Sequence, residues 1–505
     1  MHTALLLEMA AGAFPERIAV GPLSGGLSFD ELATRARAGG AWLAEQDAVT
    51  AVFIGLNSET LPVVLFGSAE IGMPFAPLNY RLPDADLRRL LARTAPSIAI
   101  VDDDMIGRVE DVPGVLLAER SNFERACADP RFRAAPAPDP ERDIAVLLFT
   151  SGTTGEPKVA VLRHRHLAAY VTSTVEFMGA EEDEAALVCV PPYHIAGIAA
   201  GLTATYAGRR TVYLPQFTPE DWVDAAVRER VTQAMVVPTM LGRILTVLEG
   251  RSETLPRLRS LSYGGGRMPQ PVIERALELM PHVDFVNAYG LTETSSTIAV
   301  LTADDHRQAI ASADPKVRAR LGSVGRPLPT LELEIRAPGG KPLGAGESGE
   351  VYVRGEQISG EYLHRKAIQD DGWFATNDAG FLDEDGYLFV EGRLDDVIVR
   401  GGENISPGEV EDVLRQHPGV ADVAVLGVPD NEWGERVAAI IVATDARPSP
   451  DELAALVKSK LRSTKTPEVW AFRDALPYND TGKLLRRQLR AEMAADQPAS
   501  VGAGR

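Results

Sequence analysis

The stretch Phe149-Thr150-Ser151-Gly152-Thr153-Thr154-Gly155-Glu156-Pro157-Lys158 concentrates hydroxyls, glycines and one lysine. Glycine lets backbone approach an anion closely, and successive N–H groups can form an anion-binding nest. Hydroxyls and an ammonium add donors, so the composition suits a polyphosphate. It also suits a solvated surface loop, and the stretch alone does not choose. It is not the phosphate loop of NTPases, which requires G-x-x-x-x-G-K-[ST]. Here Pro157 precedes Lys158 and Val159 follows it.

Five further segments share this character. Asn287-Ala288-Tyr289-Gly290-Leu291-Thr292-Glu293-Thr294 sets an aromatic, a hydroxyl and a carboxylate within one turn. Tyr289 offers a face to a base, Thr292 a donor to a phosphate and Glu293 a ligand to magnesium. Singly, each is also a common packing or surface residue. Pro191-Pro192-Tyr193-His194-Ile195-Ala196-Gly197 follows an apolar run, and Trp373-Phe374-Ala375-Thr376-Asn377-Asp378 ends on an acid. Gly392-Arg393-Leu394-Asp395-Asp396 is soon followed by Arg400-Gly401-Gly402-Glu403-Asn404, and Asn479-Asp480-Thr481-Gly482-Lys483 sets a lysine beyond a tight turn.

Strands and helices must hold these segments. Ile144–Leu148, Val52–Leu56, Ile98–Val101 and Ala234–Val237 read as buried strands, and Asp84–Thr94 and Pro219–Val231 have helical spacing. Such alternation means βαβ units and largely parallel sheets, whose ligands sit at the carboxyl ends of strands. Leu331–Ile335 and Glu350–Val353 alternate polar and apolar residues and read as half-exposed antiparallel strands. After Arg393 the chain carries its own strand and helix signals, so a smaller α/β domain is expected there.

At 505 residues two or more cores are expected. The net charge of −20 argues against nucleic acid and against an anionic membrane. No run approaches the ~20 apolar residues of a spanning helix, and Ala4–Leu7 reads as the start of a first helix. Two cysteines, Cys127 and Cys189, make neither a disulfide framework nor a zinc pattern and fit a reducing cytoplasm.

In this order, from about residue 10 to about residue 490, the segments resemble the acyl-adenylate-forming (ANL) superfamily. It holds acyl- and aryl-CoA synthetases, adenylation domains and firefly-type luciferases. The resemblance implies an α/β fold: an N-terminal domain, 1–393, of two parallel sheets with helices plus a small β-barrel, and a mobile C-terminal lid, 394–505, hinged near Asp395. It implies attack of a carboxylic acid on the α-phosphate of MgATP, giving acyl-AMP and pyrophosphate, then thioester formation.

By resemblance, Thr150, Ser151, Gly152, Thr153, Thr154, Gly155 and Lys158 hold the β- and γ-phosphates. Tyr289 packs on adenine, Thr292 contacts the α-phosphate, Glu293 ligates Mg²⁺, and Asp378 and Arg393 hold the ribose. His194 gates the thiol tunnel, Gly402 lines the path of the pantetheine arm, and Lys483 bridges carboxylate and phosphate. Gly264-Gly265-Gly266 either leaves room for the acid or lets adenine lie against backbone. Val159 and Asn377 stand where the family usually has Gly; altered loop packing and a conserved left-handed turn are expected there. The acid pocket is expected near 193–198, 238–241, 262–266 and Ala288. Arg267 serves either a second carboxylate or a surface salt bridge.

The leading function is an AMP-forming acid–CoA ligase, with the acid left open between medium-chain, aromatic and other kinds. The alternative acceptor is the phosphopantetheine of a carrier protein, and a luciferase-like oxygenase is a third reading. Arg400, Arg436 and Lys465 are candidates for a basic rim around the CoA 3′-phosphate. Whether the chain is a monomer or a homodimer is left open.

Overall fold

The computed structural model describes residues 1–132, 143–150, 157–251, 255–430, 432–478 and 484–496. Ser151, Gly152, Thr153, Thr154, Gly155 and Lys483 lie outside the described residues.

Two large sheets carry the first four hundred or so residues. In an eight-stranded sheet, Thr50–Ile54 pairs parallel with Phe75–Pro77 and Ser97–Val101, and Ile144–Thr150 joins parallel to Phe75–Pro77. Lys158–Arg163 then returns antiparallel to Ile144–Thr150. In a nine-stranded sheet, Ala185–Val188, Gln233–Val236, Ser260–Gly264 and Asp284–Leu291 run parallel in that spatial order. Every residue of Thr50–Ile54 and Ser97–Val101 is buried, as parallel strands covered on both faces require.

Helices cover these sheets by their apolar stripes. Asp84–Ala92 buries Leu87, Leu90 and Leu91 and exposes Arg88 and Arg89, the three-and-four spacing of an amphipathic helix. Leu6, Phe29, Phe53, Phe75 and Leu202 share one core, which ties the N-terminal helices and the Ile195–Ala207 helix to the eight-stranded sheet. Trp222, Leu241, Tyr263 and Ile273 form a second core on one face of the nine-stranded sheet.

The expected antiparallel unit is a four-stranded sheet in the order Glu332–Arg336, Gly349–Arg354, Phe374–Leu382, Leu388–Arg393. It packs on strand Ser296–Leu301 through Ile298 and Ala299. A further five-stranded sheet, centred on Val420–Asp430 and Gly434–Ala443, has separate cores on its two faces. Among the described residues no helix is long and apolar enough to cross a membrane. Cys127 and Cys189 are free and buried, and burial pushes both thiols up to about 12.

Candidate active site

Thr150 and Lys158 stand opposite each other on neighbouring antiparallel strands, so both ends of the hydroxyl-rich segment are fixed side by side. Val159, where the resemblance expects Gly, is a buried ladder residue in a core with Leu147 and Tyr193. The short strand Glu361–Tyr362 adds to the edge of Lys158–Arg163, with Tyr362 opposite Ala160. Arg163 clamps Glu361 with two bonds of 2.8 Å. The Tyr362 ring thereby lies 5.4 Å from the Lys158 ammonium.

Tyr362 donates its hydroxyl to Glu293 Oε1 at 2.7 Å. Glu293 sits in one 3₁₀ turn, Thr292–Thr294, fixed from below. The fully buried Thr294 hydroxyl lies 3.0 Å from the Leu291 carbonyl and 2.7 Å from the Ser296 carbonyl, and it accepts the Leu291 N–H. The Glu293 carbonyl accepts the N–H groups of Ser359 and Gly360 at 2.9 and 3.0 Å, which stitches this turn to the segment leading to Tyr362. Burial, then the Glu293 charge, raises the Tyr362 hydroxyl above the ordinary tyrosine range.

A second group adjoins the first. Asp378, buried, accepts the Tyr289 hydroxyl at 2.6 Å and the Arg393 guanidinium at 2.9 Å. Arg393 also donates to the Thr376 carbonyl at 3.1 Å. Burial and then the Asp378 charge hold the Tyr289 pKa well above 10.0. Burial opposes the Arg393 charge, but the Asp378 carboxylate outweighs it, with Glu293 adding to the upward shift. Asn377 takes φ +61°, the left-handed turn expected of it. Asp378 and Arg393 are direct cross-strand partners, and a one-residue bulge lies beside them: Gly380 pairs with Val390 but Ala379 with Gly392, leaving Glu391 unpaired. The carbonyl of Glu391 accepts the Ser406 hydroxyl at 2.8 Å instead.

The remaining expected residues stand on other elements, with Gly264 on the strand that neighbours that of Tyr289. His194 is the residue that caps the start of the Ile195–Ala207 helix, 4.7 Å from the Tyr193 ring. At Gly264 a Cβ would lie 2.2 Å from the Ala288 carbonyl, so strand approach itself demands glycine there. Gly401 and Gly402, at φ +56° and +84°, turn the hairpin between Ile398–Arg400 and Glu403–Ile405. The expected basic rim is neutralised: Arg400 pairs with Glu468, Arg436 with Asp430 and Lys465 with Glu409. Arg267 pairs with Asp412 on the Pro407–Leu414 helix, joining the two halves of the chain.

A cavity of about 150 Å³ lies between the Ile195–Ala207 helix and the nine-stranded sheet and reaches Ala288. Of the segments expected to line an acid pocket, 193–198 contributes Ala196 and 262–266 contributes Ser262. Segment 238–241 does not line it; Met240 and Leu241 pack in the core on the opposite sheet face. Sequence reasoning assigned no role to Tyr362, Thr294 or Thr376. The polar–apolar alternation of Gln233–Val236 and Ser260–Tyr263 was the available signal for the cavity floor.

Two parallel sheets around a helical layer, an antiparallel sheet presenting Asp378 and Arg393, and a separate C-terminal α/β unit define an adenylate-forming architecture. The AMP-binding enzyme family model matches residues 7–363, and the AMP-binding enzyme C-terminal domain model matches 409–483. The chain belongs to the AMP-binding enzyme family. It is 32% identical over 477 residues to the fatty acid–[acyl-carrier-protein] ligase ScoC of Streptomyces coeruleorubidus, covering 91% of this chain and 89% of that protein. It is 34% identical over 444 residues to a feruloyl-CoA synthase of an Amycolatopsis species, covering 87% of each. Among solved structures, o-succinylbenzoate CoA synthetase (MenE) from Bacillus subtilis with its acyl-adenylate OSB-AMP superposes with a TM-score of 0.82 at 29% identity, covering 96% of this chain and 97% of that one. That synthetase has also been solved with ATP and a magnesium ion.

Proposed function

We propose that the protein is an AMP-forming acid–thiol ligase with CoA as the acceptor. The observation that carries this is adjacency. A ribose-type acceptor, Asp378, and a metal-type carboxylate, Glu293, both lie close enough to Arg393 to act on its charge, and a cavity begins at Ala288 in the same strand as Tyr289. Tyr289 and Arg393 orient Asp378 to accept from ribose hydroxyls. Thr150 and Lys158 present donors to the β- and γ-phosphates, together with the hydroxyls of Ser151, Thr153 and Thr154. Thr292 reaches the α-phosphate, and Lys483 is delivered by the C-terminal domain.

Glu293 fits Mg²⁺. Its one oxygen is oriented by Tyr362, and among the described residues no protein donor occupies the other. A single carboxylate completed by substrate phosphates is the usual nucleotide-bound magnesium arrangement. Held there, Mg²⁺ would offset charge on the departing pyrophosphate. A carboxylate oxygen of the acid attacks the α-phosphorus, and the bond to pyrophosphate breaks. The thiol sulfur then attacks the acyl carbon, the bond to AMP breaks, and the thiol proton is released. The protein works in the cytoplasm, where these substrates are.

Incubation with ATP, Mg²⁺, CoA and a panel of acids is expected to release AMP and pyrophosphate in equal amounts. Release of ADP, or no turnover with any acid, overturns the reading. A carrier protein is the second reading, favoured by the neutralised rim at Arg400, Arg436 and Lys465. An acyl mass increase on a holo-carrier, with free CoA left unacylated, would select it.

A further inference from the structure

The cavity between the Ile195–Ala207 helix and the nine-stranded sheet is built by two different kinds of surface. Along the sheet, side chains alternate with period two. Ala234, Val236, Leu261, Tyr263 and Phe285 point to one face and are buried in its core. Gln233, Met235, Ser260 and Ser262 point to the other face, are only half-buried, and line the cavity. A floor of amide, thioether and two hydroxyls is unusual for a sheet face covered by a helix. Among the described residues the Ser260 and Ser262 hydroxyls form no hydrogen bond, so each is open to a partner in the cavity.

The roof is correspondingly low in bulk. The helix buries Ile198 and Leu202 in the core shared with the eight-stranded sheet. Towards the cavity it turns Ala196, Ala200, Thr203 and Ala204, spaced by three and four. Gly208, at φ +75°, ends the helix, and at the far end Arg209 is held to Glu184 at 2.8 Å. Gln233 donates to the same carboxylate at 3.2 Å. A second carboxylate on a ligand would meet Glu184 there and compete with it for Arg209.

The volume limits the occupant. A dry cavity of about 150 Å³ holds roughly one benzene-sized body, and this cavity is of that size.

Resting on the ligase reading above, we propose that this cavity selects a monocarboxylic acid whose body is about one ring in size and bears a neutral hydroxyl or carbonyl group, recognised by Ser260, Ser262 and Gln233. The acid's carboxylate lies at Ala288 beside the Tyr289–Glu293 turn, and its polar substituent lies over the serine row. Long alkyl acids exceed the space. Ring acids without the substituent leave the hydroxyls unpaired.

The test uses the full chain with 4-hydroxyphenylacetate, phenylacetate, hexadecanoate and a dicarboxylate of similar length. ATP-dependent pyrophosphate release gives kcat/KM, and calorimetric titration without ATP gives binding. The hydroxylated acid is expected to exceed phenylacetate by about tenfold, the worth of one hydrogen bond. Ser262→Ala is expected to bring that ratio close to one. Ala200→Phe is expected to lower kcat/KM for both ring acids by about a hundredfold. Preference for hexadecanoate or the dicarboxylate, or a ratio unmoved by Ser262→Ala, overturns the proposal while turnover keeps the ligase reading. Binding of 4-hydroxyphenylacetate, weakened by Ala200→Phe but without pyrophosphate release from any acid, overturns the ligase reading and keeps the cavity. Neither binding nor turnover overturns both.

Discussion

Two carboxylates in the site each accept a tyrosine hydroxyl at almost the same distance, 2.6 Å for Asp378 and 2.7 Å for Glu293. Their surroundings differ. Asp378 is buried and also holds the Arg393 guanidinium, so its charge is balanced inside the protein. Glu293 is half-buried and among the described residues forms no ion pair, so its charge is left open to a ligand. One carboxylate is an element of structure that, on the ligase reading, also accepts from ribose; the other is a charge held in readiness. The teaching is that hydrogen-bond length alone does not separate structural from catalytic acids, whereas the balance of charge around each does.

That contrast can be broken at several strengths. Glu293→Gln keeps the shape and the tyrosine contact but removes the charge. Acid-dependent pyrophosphate release is expected to fall about 10²–10³-fold, with the unfolding midpoint shifted by less than about 0.5 kcal/mol. A large loss of stability would erase the distinction. Asp378→Ala strips acceptors from Tyr289 and Arg393 together. It is expected to cost about 2–3 kcal/mol in urea unfolding as well as raising the KM for ATP. Smaller still, Tyr289→Phe is expected to cost about 1 kcal/mol and Tyr362→Phe about half of that, because solvent replaces the lost donor more easily at Glu293.

The least effect is in pH. Tyr289 ionises near 10.0 when unfolded and well above it when folded. Its stabilising contribution is complete below pH 10 and is lost as pH rises towards the folded value, because only the unfolded chain releases the proton. Tyr289→Phe is expected to flatten the alkaline limb of the stability profile more than Tyr362→Phe does.

Much of this site was legible in the chain. Tyr289, Glu293, Asp378 and Arg393 sit in local motifs, and the left-handed Asn377 followed from its residue type. Tyr362 was not legible in role, because it is brought to Glu293 by long-range contacts: strand pairing with Ala160, some two hundred residues earlier, and the bonds of Ser359 and Gly360 to the Glu293 carbonyl. The basic rim was read from charge alone, and charge does not say that Glu468, Asp430 and Glu409 stand opposite. Segment 238–241 was expected at the pocket, but Met240 and Leu241 pack on the other face of the sheet from the cavity. Which sheet face a helix covers is a tertiary fact.

The unpaired Glu391 has a consequence of its own. Side chains on a strand obey an odd–even rule. If Glu391 instead entered the ladder opposite Ala379, Gly392 would stand opposite Asp378, and Arg393, opposite Asn377, would face the other side of the sheet. The ladder could survive such a shift while Asp378 lost its cation. The pairing of Asp378 with Arg393 therefore depends on parity: a single surplus residue, itself outside the ladder, decides which way its neighbour faces.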